Sequence, residues 1–212
     1  MNKKGVFVMM KKGKGEIVPL KEAIEQVRIA MARLGLMHLA YSTTIVEELG
    51  KEKGKELILR SIMEYGRMVG ERNKKGQQDL PFYGVHKAVY DDQTYLDSRK
   101  LPKPRDYSRY RVYDCILAKI FGEYGEKELG CLYCYVDPAK SMAQDPRTKL
   151  IHRACAACED EYCSFDRVKA TKKEKEDFLR KDKKWRSVDP ILAAGAKWGS
   201  PPERSAEADE DP

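Results

Sequence analysis

The sequence predicts an α+β fold in which a helical N-terminal half packs on a small antiparallel sheet with a cysteine-rich hairpin. Three observations predict it. Apolar residues recur at spacings of three and four between residues 20 and 77, as in amphipathic helices. Shorter segments with strand-like alternation and turn residues follow between residues 107 and 170. Five of the six cysteines fall within residues 129–166, inside that second region.

Length and composition indicate a soluble globular protein. The 212 residues are enough for a core that folds without disulfides. No apolar run approaches the length of a membrane span, and the apolar patch at residues 6–10 is too short for a signal peptide. We therefore expect a cytoplasmic protein with a flexible basic N-terminus (1–18), a single α+β domain (19–186) and a disordered acidic tail (187–212).

The net charge of +7 is unevenly distributed. Residues 201–212 carry five acids and one arginine, so the other 200 residues carry +11. A basic body can attract nucleic acid or a small anionic substrate, although a solvated lysine-rich surface is the simpler interpretation. Because no recognition helix is visible, we expect a small-molecule substrate or ligand, no nucleic acid and no membrane. The sequence leaves a homo-oligomer open.

Two long helices are predicted first. One begins after Pro19 and ends at Gly50. The second places one apolar face toward the core, and its predicted members are Leu57, Ile58, Ile62, Tyr65, Met68 and Val69. Gly66 and Gly70 lie four residues apart in this second helix, where each costs up to about 1 kcal/mol relative to alanine. We expect them to mark the close packing of another element.

The C-terminal half is predicted as shorter elements. We expect, in chain order, an irregular aromatic segment (80–104), a strand (107–115), a helix (116–124), a short helix (139–144) after an Asp137-Pro138 N-cap, a hairpin (149–158 with 163–170) and a last helix. A capping box, Thr171 with Glu174, opens that last helix. Phe178, Leu179 and Trp185 are predicted on its buried side.

The cysteine-rich stretch offers ligands for a metal ion. Cys131 with Cys134 and Cys155 with Cys158 are two C-x2-C pairs separated by 20 residues, and Cys163 follows. Thiols this dense in a reducing compartment indicate metal ligands or reactive groups more than disulfides. The spacing lies at the edge of that expected for a structural zinc site with four thiolates.

A second set of ligands is also available. It combines Cys134, His152, Cys155 and Cys163, with Cys131 and Cys158 as alternatives. Residues 152 and 155 point to opposite faces of a straight strand, so this set requires a bulge or a bend. The simpler interpretation, that all these thiols are small core residues, also stays open.

This stretch resembles two protein families. The pattern His152-x2-Cys155-x7-Cys163-x-Phe165 resembles the end of 4-vinyl-reductase-type small-molecule-binding domains, some of which bind zinc. The whole stretch more closely resembles the L-2-amino-thiazoline-4-carboxylate hydrolase family. That likeness rests on the segment ELGCLYCYVD (128–137), a turn with C-x-F (159–165) and the helical front half, and it covers roughly residues 20–170. Where the family usually has glycine, this chain has Cys158-Glu159, and Cys131 and Cys155 are additional thiols.

The resemblance implies a hydrolase that opens a cyclic amidine-like ring. Such chemistry needs an activated water or nucleophile, a general acid or base, and a cation for the substrate carboxylate. The predicted catalytic residues are Cys134, Asp137 and Cys163. The predicted substrate-binding residues are Arg153, Arg147, Tyr133 and His86, and the predicted cofactor is zinc. Simpler roles compete: Asp137 as a helix N-cap, the arginines as a solvated strand face, and His86 and Cys115 as packing residues.

Two other functions stay open. One is a non-enzymatic small-molecule or redox sensor of the 4-vinyl-reductase type, which a closed four-ligand protein shell would favour, since catalytic zinc keeps an open position. The other is a nucleic-acid-binding zinc protein, which steeply salt-dependent binding would reveal.

Overall fold

The computed structural model describes residues 10–12, 16–77, 87–95 and 106–198, and it confirms the predicted α+β fold. The helices are α1 (Leu20–Leu49), α2 (Lys51–Lys74), α3 (Ile116–Glu123), α4 (Lys127–Cys134), α5 (Val136–Gln144), α6 (Lys172–Arg180) and α7 (Pro190–Gly195). The strands are β1 (Met10–Lys12), β2 (Glu16–Val18), β3 (Lys87–Tyr90), β4 (Gln93–Tyr95), β5 (Tyr110–Tyr113), β6 (Thr148–Ala154) and β7 (Cys163–Lys169).

The main sheet has five strands in the order β4-β3-β5-β7-β6, and every neighbouring pair is antiparallel. Strands β6 and β7 form the predicted cysteine-rich hairpin. Cys163, at the start of β7, pairs with Val112 of β5, and Phe165 pairs with His152 of β6. The hairpin therefore places Cys163 beside the central strand and His152 on the edge strand next to it. A separate antiparallel pair joins β1 and β2.

The glycines of α2 mark a close helix contact, as predicted. A Cβ atom on Gly66 would lie 2.4 Å from the Cβ of Ala139, and one on Gly70 would lie 2.6 Å from the carbonyl oxygen of Lys140. Both contacts belong to α5, whose backbone therefore rests directly on α2. This contact fixes the position of Asp137 and Lys140 relative to the core.

The buried face of α2 differs in part from the prediction. Ile58 and Ile62 are buried as expected, but Met68 is 54% exposed and Tyr65 is 39% exposed. The core instead takes Leu59 and Met63. The reason is that Gly66 and Gly70 allow α5 to pack directly on α2. The buried face of α2 is therefore the one that carries these two glycines.

The C-terminal segment needs the largest correction. Residues 187–198 fall within the predicted disordered tail, yet they include α7 and bury Val188, Asp189 and Leu192. Lys55 holds the end of this segment, because its fully buried ammonium donates to the carbonyls of Ala196 (3.0 Å) and Lys197 (3.1 Å) and pairs with Glu128. Residues 199–212 lie outside the described part of the chain.

Other predicted elements are confirmed or adjusted. The capping box of Thr171 and Glu174 opens α6, and Phe178 and Trp185 are buried as predicted. Leu179 is 80% exposed, so its predicted burial is wrong, because it follows Phe178 on the outer side of the helix. The predicted strand at 107–115 is shortened to β5, since residues 107–109 form a 3₁₀ turn.

The stretch that we expected to be irregular contains a hairpin. Strands β3 and β4 are joined by Asp91 and Asp92, both with positive φ (47° and 61°). Two consecutive left-handed residues suit the right-handed twist of flanking strands. The sequence signal was missed because Asp-Asp is a weaker hairpin signature than Asn-Gly or Asp-Gly. The rest of the stretch, 80–86 and 96–104, lies outside the described residues.

By length and composition alone, α1 could cross a membrane, since an 18-residue window has a mean hydropathy of 1.2. The expectation that no apolar run approaches such a length is therefore wrong for this helix. Core helices of soluble proteins meet the same criterion, and α1 packs on α2, α3 and α4.

The buried His38 of α1 is hydrogen-bonded through Nε2 to the carbonyl of Leu129, which ties α1 to α4.

The contact between α2 and α5 makes a stability prediction. Alanine favours a helix over glycine by up to about 1 kcal/mol, but overpacking a tight contact costs about 1–3 kcal/mol. We expect Gly66→Ala and Gly70→Ala each to lower the free energy of unfolding in urea. Gly122→Ala in α3 is the control, because a Cβ there meets only the end of Lys127 at 3.7 Å. It should be neutral or stabilising. An equal gain in all three variants would contradict the close contact.

Candidate functional site

Three metal-ligating side chains meet at the end of β6. One ring nitrogen of His152 and the Sγ atoms of Cys134 and Cys155 all lie within 4.8 Å of one another. The hairpin register shifts between His152 and Ala154, so the bulge that the second ligand set requires is present. This bulge lets residues 152 and 155 reach the same point from one strand. Cys134 arrives from the C-terminal end of α4.

The ring of His152 is oriented by a buried carboxylate. Asp189 Oδ2 accepts from His152 Nδ1 and from the backbone N–H of His152, both at 2.8 Å. Its Oδ1 accepts from the N–H of Leu192 at 3.1 Å, so the same side chain caps α7. Asp189 is fully buried and His152 is 3% exposed. With Nδ1 engaged, Nε2 is the nitrogen that is left to face the rest of the site.

Asp137 lies on that Nε2 side. Its Oδ2 is 3.5 Å from His152 Nε2, and its Oδ1 pairs with the ammonium of Lys140 one turn along α5. The simpler role that we considered for Asp137, that of a helix N-cap, does not apply. Tyr135 occupies the cap position of α5 without a capping side-chain bond, and Asp137 lies in the first turn. The Asp137 carboxylate therefore faces His152 instead of capping the helix.

These neighbours determine the protonation of the imidazole. Burial lowers the pKa of His152, but the hydrogen bond to Asp189 and the charges of Cys155, Asp189 and Asp137 outweigh it and raise the pKa to about 10. Without a cation the ring therefore holds two protons at neutral pH. A metal ion would take the place of the proton on Nε2.

Three nearby thiols, Cys134, Cys163 and Cys115, also keep their protons. The hydrogen bond with Cys155 and then burial raise the pKa of Cys134 well above that of an ordinary thiol, and the same two causes raise the pKa of Cys163. Burial raises the pKa of Cys115 to about 12. Because the thiolate is the reactive form of cysteine, none of these three groups is an activated nucleophile in the metal-free protein. A bound cation would make its thiol ligands anionic.

The two C-x2-C pairs do not form one four-thiol group. Cys134 and Cys155 lie with His152 in one group, whereas Cys158 lies outside it and is hydrogen-bonded to Cys131 and Cys155. Cys163 lies beside Cys155 and accepts from the N–H of Ala156 at 3.3 Å. Within the part of the chain that the structure describes, the group with metal-ligating geometry therefore takes one cysteine from each pair and one histidine. All six cysteines are free thiols.

The structure places the predicted substrate-binding residues in different surroundings. Tyr133 is buried beside Tyr65, with ring centroids 6.2 Å apart, and burial with this neighbour raises its pKa. Arg147 and Arg153 are exposed and pair with Asp145 and Asp166. Arg147 and Arg153 therefore lie on a solvated face, as in the simpler of the two interpretations that the sequence left open.

His86 lies outside the described residues. Its predicted role in substrate binding stays a prediction.

Two residues of the site were not anticipated from the sequence. Asp189 precedes Pro190, which is a helix-start signature that could have predicted α7. Nothing in that signature points to His152, which lies 37 residues away along the chain. Lys140 carries no motif, and its place beside Asp137 follows from helix spacing only once Asp137 is known to lie inside α5.

The donor set fits a metal ion. Two sulfurs and one imidazole nitrogen are ligands that zinc and other transition-metal ions favour. The imidazole is held by a carboxylate on its far nitrogen, an arrangement that orients histidine ligands in metal sites. The group of Cys134, His152 and Cys155 could therefore hold a metal ion.

Comparison with known proteins gives one match. A family model described as L-2-amino-thiazoline-4-carboxylic acid hydrolase matches residues 28–166, well over half of the 212 residues. The matched segment contains all three members of the group and Asp137, but it ends before Asp189. The chain matches no curated protein and no solved structure.

The burial of Asp189 makes a stability prediction. Removing one partner of a buried charged pair leaves the other uncompensated, which costs about 3–5 kcal/mol. We expect Asp189→Ala to lower the free energy of unfolding by that amount in urea denaturation. Asp182→Ala is the control, since Asp182 accepts from the N–H of Lys184 at an exposed 3₁₀ turn. It should cost about 1 kcal/mol. Equal effects of the two substitutions would contradict the central role of Asp189.

Proposed function

The chain belongs to the L-2-amino-thiazoline-4-carboxylic acid hydrolase family, and on this premise we propose that it hydrolyses a small cyclic amidine-like substrate. In a 2-aminothiazoline-4-carboxylate, water adds to C2 and the ring C–S bond breaks. The sulfur leaves as a thiolate and takes up a proton, and the product is an N-carbamoyl-cysteine. The reaction needs no oxidant or reductant, and all its atoms come from the substrate and one water.

The observation that carries this proposal is the three-ligand group on an oriented histidine. Cys134, His152 and Cys155 converge on one point, and Asp189 holds the far nitrogen of the ring. Catalytic zinc sites keep three protein ligands and an open position, whereas structural sites are closed by four. We infer that these three residues bind zinc. When bound, the zinc would supply Lewis acidity to polarise a substrate heteroatom.

The residues around the group take the remaining roles. Asp137, whose side chain is 19% exposed, is the base that accepts a proton from the attacking water. Lys140 supplies a positive charge beside Asp137 and binds the substrate carboxylate in place of the exposed Arg147 and Arg153. Tyr133 donates a hydrogen bond to the substrate, since its raised pKa keeps it protonated. Asp189 positions the imidazole.

Metal-assisted hydrolysis is better supported than covalent catalysis by cysteine. A nucleophilic cysteine needs a lowered pKa or an adjacent base, and Cys134 and Cys163 both have raised pKa values. In our proposal Cys134 is therefore a ligand. Cys163 is hydrogen-bonded to the other thiol ligand, Cys155, and helps to hold it in place.

One observation favours the second candidate, a non-enzymatic small-molecule or redox sensor. Cys163 is hydrogen-bonded to Cys155 and could supply a fourth ligand after a small side-chain movement. A closed shell of three sulfurs and one nitrogen would be structural. The sensor would then keep its metal and bind a ligand without turnover.

We also propose that the protein works in the cytoplasm. Six free thiols, five of them within 33 residues of one another, persist best in a reducing compartment. A thiol-containing product would likewise remain reduced there.

Metal content is the first test of the site. Protein purified anaerobically without an affinity tag should contain about one zinc ion per chain by elemental analysis. Cys134→Ser, His152→Asn and Cys155→Ser should each lose the metal, and Cys115→Ser should keep it. Cys163→Ser discriminates the candidates, because it should keep the metal in the hydrolase and lose it in the sensor. Metal-free protein with six titratable thiols would rule out the zinc site.

Turnover tests the function itself. We expect metal-replete protein to open 2-aminothiazoline-4-carboxylate, followed by the appearance of a new thiol with a colorimetric reagent. Asp137→Asn should lower kcat by about 10²–10⁴-fold without loss of metal, since it removes the proton acceptor.

Asp145→Asn is the matched control, because Asp145 pairs with an exposed arginine. It should leave kcat unchanged. Absence of turnover in the metal-replete wild type would reject the hydrolase.

A further inference from the structure

Two cysteines outside the metal-ligating group, Cys131 and Cys158, lie side by side. Cys131 lies in α4 and is fully buried, whereas Cys158 ends the 3₁₀ turn at Ala156–Cys158 and is half-buried. The Cys158 side chain is hydrogen-bonded to that of Cys131 and also to that of Cys155. The Cys131 thiol also donates to the carbonyl of Ala157 at 3.1 Å, which places its sulfur beside the backbone of Cys158.

The helix above the pair confirms how close the sulfurs are. A Cβ atom on Gly195 of α7 would lie 2.4 Å from the Sγ of Cys158 and 2.8 Å from the Sγ of Cys131. The two sulfurs therefore lie under the same point of α7. Glycine at this position is what allows α7 to cover the pair directly.

We propose that Cys131 and Cys158 are a reversible modification site that forms an intramolecular disulfide by exchange with a small-molecule disulfide such as oxidised glutathione. The half-exposed Cys158 reacts first: its thiolate attacks one sulfur of the small disulfide, forms a mixed disulfide and releases one small thiolate. Cys131 then gives its proton to that thiolate and attacks the Cys158 sulfur, which expels the second. Two protein thiols are oxidised, and one small disulfide is reduced to two thiols.

The burial of the two sulfurs decides this order. Cys131 has no exposed surface, so a small disulfide in solution cannot reach it directly. Access at Cys158 and a second thiol within bonding reach are the usual features of a cysteine with a resolving partner. The hydrogen bond with Cys131 raises the pKa of the Cys158 thiol, so little thiolate is present, and both thiols are largely covered. Exchange should therefore take hours rather than seconds.

The disulfide would join elements that support the metal-ligating group. Cys131 is one turn before Cys134 in α4, and Cys158 is one turn after Cys155. The new bond would therefore link α4 to the 3₁₀ turn without using either ligand. It would close a loop of 27 residue steps in the unfolded chain, which restricts that chain and favours the folded state.

Thiol trapping with mass spectrometry tests the proposal on the full chain. Purified protein would be incubated overnight in glutathione buffers of increasing oxidation, alkylated and digested with trypsin. We expect two thiols to be lost per chain and the peptides 128–140 and 154–167 to be linked, with fragmentation placing the bond between Cys131 and Cys158. Dithiothreitol should restore all six thiols. A bond at Cys155–Cys158 or Cys134–Cys155, or six free thiols in every buffer, would overturn the proposal.

Single variants test the order of the two steps. Cys131→Ser should stop at a glutathione adduct on Cys158, whereas Cys158→Ser should form neither the adduct nor the bond. Cys115→Ser is the matched control and should behave as the wild type. Adducts on Cys131 in Cys158→Ser protein would contradict the proposed order.

Thermal unfolding supplies a second readout on the same samples. The oxidised wild type should unfold at a temperature roughly 6–12 °C above the reduced one. Cys131→Ser should show no such shift between buffers. An oxidised wild type without a higher unfolding temperature would contradict stabilisation by the proposed disulfide.

Discussion

The buried carboxylate of Asp189 is the interaction on which the site depends. A carboxylate without solvent is costly unless its oxygens are satisfied, and here three N–H groups satisfy them. Two belong to His152 on β6 and one belongs to Leu192 in α7, so a single side chain joins the sheet to the last helix. Lys55 anchors the far end of the same segment through the carbonyls of Ala196 and Lys197. The orientation of the imidazole is therefore set by a segment held at both ends.

Local rules predicted the features that neighbouring residues determine. Helical periodicity gave α1 and α2, and Thr171 with Glu174 gave the start of α6. The unfavourable Gly66 and Gly70 predicted a close contact, because a helix keeps such residues only where another backbone approaches. The need for a bulge followed from geometry: residues 152 and 155 cannot reach one point from a straight strand, and the register shift lies between them.

Long-range contacts decided what could not be predicted. The rotation of the α2 face, which exposes Met68, depends on where α5 lies and not on the helix itself. Two C-x2-C pairs suggest a four-thiol site by spacing alone, but tertiary packing brings Cys134 to Cys155 and His152 and places Cys131 beside Cys158. Because the sequence near the C-terminus is rich in acidic residues, we predicted disorder there and missed the burial of Val188 and Leu192.

The position of Asp189 also bears on how the protein is divided for study. The family-matched segment ends at residue 166, inside β7, and omits the carboxylate, the helix that carries it and the buried Trp185. A recombinant fragment cut at that boundary would keep every sulfur and imidazole ligand but lose the partner that orients them. A fragment that keeps the site complete therefore has to extend about thirty residues beyond the family-matched segment.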